Sequence, residues 1–249
     1  MYWRCNNTSM VPSRIPFKGT MLLLALAGLT ACVNLFPPDK SPLATIGGNP
    51  EVLPREVRFK HVWAQCHGPG GQGRVDLKTP SIAGLPDWYV TIQIGKFQKD
   101  WRGTKPEDVQ GVQMHAIART LDPETVRDVS GYIESLKLIP TKVTLKGGNP
   151  KRGAELYRDL CMECHRFNGR GELAFRSSQL IGLQDWYIVS QLRKYRDGLR
   201  GTEKEDLDGI KMLRITNQMT DDSFIDLSAH LAELADKYAE ERPRLPWWE

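Results

Sequence analysis

"WAQCHGPGGQG" occupies residues 63–73 and "CMECHRFNGRG" occupies residues 161–171. Set over one another at an offset of 98, they pair Cys66 with Cys164, His67 with His165 and Trp63 with Cys161. The same offset lays "LPDWYVTIQIGKFQKDWRGTKPEDVQGVQM" (85–114) over "LQDWYIVSQLRKYRDGLRGTEKEDLDGIKM" (183–212). Across 84–136 and 182–234 there are 18 identities in 53 positions without a gap, far above chance, so the chain carries a duplicated domain. "GGNP" opens both copies, at 47–50 and 147–150, the second inside a Pro- and Gly-bearing linker.

Each repeat is roughly 90 residues, a length at which apolar burial alone gives a thin margin. The periodicity is helical. "PKRGAELYRDLCMECH" spaces its apolar positions for one helix, and "DWYIVSQLRKYRDG" reads as a second with its first aspartate as cap. "TDDSFIDLSAHLAELADKY" reads as a third, with acids in its first turn and Phe224, Leu227, Leu231 and Leu234 on one face. No segment alternates strongly enough to be a strand. The expected architecture is all-α, two tandem units of a few short helices each: 49–140 and 150–240, joined by a linker at 141–149. Residues 241–249 form a tail ending in Trp247 and Trp248, a pair suited to docking on a domain, a partner or a membrane interface.

Residues 1–31 read as an export signal. Arg4, Arg14 and Lys18 precede an apolar run, "MLLLALAGLTAC", too short to span a bilayer as a mature helix. The run ends in "LTAC", which resembles the lipobox of bacterial lipoproteins and makes Cys32 the lipidation candidate. An ordinary cleavage site or an uncleaved anchor is the plainer alternative. Residues 32–48 would then be a tether, with the mature protein held on the periplasmic side of the membrane by its lipid. Loss of the three basic residues brings the net charge of +4 close to neutrality, which argues against a nucleic-acid partner. Of five cysteines, Cys5 leaves with the signal and Cys32 is the lipid candidate; the remaining three lie in the two repeated motifs, leaving no spare pair for a disulfide.

The second motif is C-x-x-C-H, the attachment signature of a c-type haem. Two thiols, Cys161 and Cys164, add to the haem vinyl groups, and the adjacent His165 reaches the iron. A zinc or redox pair is the alternative, but zinc would want further ligands close by. The sixth ligand of an electron-transfer haem is commonly methionine, which raises the potential. Met114 and Met212 lie equally far, 47 residues, beyond His67 and His165. Met219 competes in the second unit, but its counterpart is Leu121. The expected iron ligands are therefore His67 with Met114 and His165 with Met212.

On these motifs, the "WY…Q…K(F/Y)…RGT" segments and the closing helices, residues 50–236 resemble the dihaem class I cytochromes c of the cytochrome c4 type. The resemblance implies two haem c groups, with Tyr89, Arg102, Tyr187 and Arg200 at the haem edges and propionates. It also implies a proline whose carbonyl accepts from the haem histidine: Pro80 in the first unit. The second unit has Ser178 at that offset, which leads to the expectation of a differently held histidine there.

Trp63 admits three readings: a decayed, haem-free unit; a haem held by Cys66 alone with the indole packed on its edge; or a sequence error or drift, one base separating the codons. The retention of Cys66, His67, Pro80, Tyr89, Arg102 and Met114 in register favours the second, since an abandoned haem-sized cavity would be strongly destabilising. The expected function is one-electron carriage between a quinol-oxidising complex or dehydrogenase and a terminal oxidase or reductase of a respiratory chain, with no small-molecule substrate at an iron whose axial positions are both filled. A cytochrome subunit fixed in a membrane-bound oxidoreductase is the second reading, and a haem enzyme the third.

Overall fold

The computed structural model describes residues 55–238, all within one compact unit. The signal, Cys32, the tether and the Trp247–Trp248 tail lie outside the described residues. The first repeat contains α1 (Arg55–Val62), α2 (Ala64–His67), α3 (Asp87–Gln98), α4 (Val109–Ala118) and α5 (Pro123–Ser135). The second contains α6 (Pro150–Leu160), α7 (Met162–His165), α8 (Asp185–Arg196), α9 (Leu207–Thr216) and α10 (Asp221–Tyr238). Among the described residues there is no strand, only the isolated bridges Arg74–Thr79 and Glu172–Ser177.

Local chemistry sets the helix starts. Asn149 caps α6 by accepting from Lys151 and Arg152 N–H, with Pro150 in the first turn, where its missing N–H is no loss. Asp122 and Pro123 do the same for α5. Asp108 and Asp206 cap α4 and α9 by accepting from Gly111 and Gly209 N–H. A Cβ on either glycine would sit 2.1 or 2.3 Å from the capping carboxylate, so only glycine fits. Asp185 does not cap α8 as expected; Gln184 holds that position. The buried Asp185 carboxylate instead accepts from Thr144 and Leu145 N–H, which ties the linker to the second unit.

Each repeat has its own apolar core. Phe59, Ile94, Phe97, Val129 and Ile133 anchor the first. Tyr157, Ile188, Phe224, Leu227, Leu231 and Leu234 anchor the second, so the stripe expected on α10 faces inward. α10 docks on α6, and α5 on α1 and α3, with the short attachment turns α2 and α7 following α1 and α6.

The two attachment turns leave their helices through a left-handed residue. In the first unit this is Gly68 (φ +80°), in the second Arg166 (φ +66°, ψ +159°). That region is disfavoured for any residue with a Cβ, by about 1–3 kcal/mol. Arg166→Gly is therefore expected to stabilise the protein by about 1 kcal/mol, read as a raised urea midpoint; an unchanged or lowered midpoint would contradict the strain.

Candidate haem sites

In the first unit the Trp63 carbonyl accepts from Cys66 N–H (3.1 Å) and His67 N–H (2.8 Å), closing a single turn. His67 is buried, and its Nδ1 lies 2.9 Å from the Pro80 carbonyl. A carbonyl can only accept, so Nδ1 carries the proton and Nε2 keeps a free lone pair. Burial lowers the His67 pKa and outweighs the opposing hydrogen bond to Pro80, so the ring is neutral. A neutral imidazole with its far nitrogen unprotonated is the form that binds a metal.

His67 opens on a cavity of about 400 Å³. Every residue singled out for the first unit lines it: Trp63, Cys66, His67, Pro80, Tyr89, Arg102 and Met114. Leu183, Trp186, Tyr187, Gln191 and Lys194 of the second unit complete the wall. Trp63 is 5% exposed and packs in the first core, its ring centred 6.0 Å from that of His67. The indole thus replaces a thiol with apolar wall. Trp63 Nε1, Ser81 Oγ, Arg102 Nε and Trp186 Nε1 are buried in this lining without hydrogen-bond partners. Unsatisfied buried donors are rare in proteins, and here they border a space lined by a thiol, a neutral imidazole and a thioether. The residues present fit a haem.

In the second unit Cys161, His165 and Met212 come together on a cleft of only about 50 Å³, closed by Leu160, Leu180, Ile188, Leu192 and Leu231. Cys164 is exposed and stands outside this lining. Burial pushes the Cys161 thiol up to about 12. Met219, the competing ligand, is buried in the core instead, away from the cleft. The donor set matches that of the first unit; the walls lie closer. The expectation of a differently held histidine is corrected here. His165 Nδ1 lies 2.8 Å from the Ser178 carbonyl, and burial lowers its pKa as for His67. The acceptor belongs to the backbone, so the loss of proline does not remove it.

Tyr89, Arg102, Tyr187 and Arg200 meet where the units join. Arg102 donates to Gln93 Oε1 (2.7 Å) in its own unit and to Gln191 Oε1 (3.2 Å) and Tyr187 Oη (3.3 Å) in the other. Arg200 mirrors it, donating to Gln191 Oε1 (2.6 Å) and Gln93 Oε1 (3.2 Å). Outside this square Lys96 pairs with Asp206 (2.6 Å) and Lys194 with Asp108 (2.5 Å). The carboxylates that cap α4 and α9 are therefore the ones that receive the opposite unit's lysine. Burial alone would push the Tyr187 phenol up, but the two guanidinium groups outweigh it and hold it below its usual value. Burial dominates at Tyr89, which is pushed up to about 12. Gln93, Gln191, Lys96 and Lys194 stand in the "WY…Q…K(F/Y)…RGT" segments but had no role assigned from sequence, and Asp108 and Asp206 were not singled out, although all six are identities between the repeats.

Residues 150–235 match the cytochrome c family model. The second unit is a cytochrome c domain. Over 186 residues the chain is 25% identical to cytochrome c4 of Azotobacter vinelandii, covering 70% of this chain and 84% of that protein. Over 223 residues it is 24% identical to the thiosulfate dehydrogenase electron acceptor of Stutzerimonas stutzeri (86% and 95% covered). The crystal structure of reduced recombinant cytochrome c4 from Pseudomonas stutzeri superposes with a TM-score of 0.56 at 23% identity, over 73% of this chain and 98% of that one. The chain is homologous to cytochrome c4 and shares its fold of two cytochrome c domains.

The crossed ion pairs give a direct test of the junction. Lys96→Met leaves Asp206 buried without its cation and is expected to destabilise the protein by about 3–5 kcal/mol in urea unfolding. A loss below 1 kcal/mol would show that the pair is solvated and that the junction does not depend on it.

Proposed function

We propose that the chain is a dihaem c-type cytochrome that carries single electrons between a quinol-oxidising complex or dehydrogenase and a terminal oxidase or reductase, tethered at the periplasmic face of the membrane through Cys32. The observation that carries this reading is the first cavity: one space lined by Cys66, a neutral His67 whose proton is fixed on Nδ1, and Met114. The relative that accepts electrons from thiosulfate dehydrogenase supports a dehydrogenase as donor.

In this reading His67 and Met114 would hold the iron of the first haem, and His165 and Met212 that of the second. Cys161 and Cys164 would anchor the second haem; Cys66 alone would anchor the first, with Trp63 as apolar wall beside it. Haem, when bound, supplies an iron that alternates between ferric and ferrous states one electron at a time. The protein's work is to hold, dry and orient. Phe97, Ile94 and Ile133 keep water from the first pocket, and Leu192, Leu227 and Leu231 from the second. Arg102 and Arg200, buried among neutral glutamines and tyrosines, set a positive cluster at the junction that suits propionate carboxylates.

Potentiometric titration of the purified cytochrome tests this. Two one-electron waves are expected. Met114→Ala should lower one wave and Met212→Ala the other, because loss of the thioether removes the ligand that raises the potential. A single wave untouched by Met114→Ala would overturn the two-haem reading.

A further inference from the structure

Gln184 belongs to the second unit but is hydrogen-bonded to the first. Its Oε1 accepts from Ser81 N–H (2.8 Å), and its Nε2 donates to the Gln72 carbonyl (2.9 Å). Ser81 N–H and the Pro80 carbonyl are the two ends of one peptide group, and that carbonyl accepts from His67 Nδ1. A continuous chain therefore runs from His67 through the Pro80–Ser81 peptide to the side-chain amide of Gln184. The fit is close: Gly73 (φ +79°) lies flat on this peptide, and a Cβ there would come within 2.6 Å of Pro80 C and Ser81 N and 2.7 Å of Gln184 Nε2.

The arrangement has no counterpart in the other direction. At the offset of 98, Gln184 corresponds to Pro86, which has no amide to offer. Their backbones are nearly the same, φ −63°, ψ 143° at Gln184 and φ −56°, ψ 138° at Pro86. Each begins the helix after "GL". In the second unit the peptide that follows the Ser178 carbonyl is thus not met by a side chain at position 86.

We infer that Gln184 is a positioning residue by which the second unit sets the electronic character of His67, and with it the reduction potential of the first haem alone. The inference rests on the two-haem reading above. Hydrogen bonds in series polarise one another: an acceptor on the peptide N–H makes the peptide carbonyl a stronger acceptor. A stronger acceptor draws the Nδ1 proton and raises the basicity of Nε2, which favours the ferric state. The docking of the units is in this way coupled to the potential of one centre and not of the other.

The test uses the mature, haem-loaded protein. Gln184→Pro removes the amide while keeping a backbone that the first repeat already uses, so the fold is expected to be retained. In a Met212→His background, which moves the second wave down and so identifies the first, Gln184→Pro should raise the potential of the first centre and leave the second unmoved. Ser81 N–H should exchange with solvent faster in the same variant. Gln184→Glu, which keeps an acceptor at Ser81 N–H, should hold the first potential at or below its original value. A first wave that does not move in Gln184→Pro, or two waves that move together, would overturn the role while leaving the two-haem reading standing. One haem per chain, by intact mass and by the haem content of the native protein, would overturn both.

Discussion

The junction between the repeats is a crossed square in which Arg102 and Arg200 each donate to both Gln93 and Gln191. The rest of the structure depends on it. A duplicated chain can pair its copies face to face, with residue i meeting residue j and j meeting i, when one patch is self-complementary. The flanking Lys96–Asp206 and Lys194–Asp108 pairs obey the same rule, and they do so with carboxylates that also cap α4 and α9. Those helices carry Met114 and Met212. One pair of aspartates thus ties the docking of the units to the helices that present the expected sulfur ligands.

The pseudo-symmetry is broken in the pockets. The first is roomy and borrows a wall from α8; the second is closed by its own leucines and isoleucines. Trp63 belongs to this difference. It keeps the backbone turn that the repeat needs, its carbonyl accepting from His67 N–H as that of Cys161 accepts from His165 N–H, and only the side chain has changed. The indole adds apolar contact in the core, consistent with a first site held by packing and ligation where the second has two thiols. Gln184 breaks the symmetry again, since it reaches His67 through a peptide that Pro86 cannot match in return.

Much of this could be read from the sequence because the signals were periodic or repeated. The equal 47-residue separations picked out Met114 and Met212, both of which line the expected clefts, and the α10 stripe is buried as its spacing required. The misses have definite physical causes. Asp185 is a helix-start residue by composition, yet its carboxylate went to linker amides that no local pattern reveals. The second histidine was expected to be held differently without the proline, but the acceptor is a main-chain oxygen indifferent to the side chain. Lys96, Asp108, Gln93 and their counterparts stood out as identities without a local task. Identities left over after the ligands are assigned were the available sign of a self-complementary interface. Gln184 gave no sign at all, because its meaning depends on docking across more than a hundred residues of sequence.

The most direct measurement is an intact mass, under denaturing conditions, of the mature protein produced with a c-type maturation system. Two covalently retained haem masses per chain are expected, one held by Cys161 and Cys164 and one by Cys66 alone. A single haem mass, with no second haem found in the native protein, would contradict the central claim and leave the first cavity as a pocket for something else.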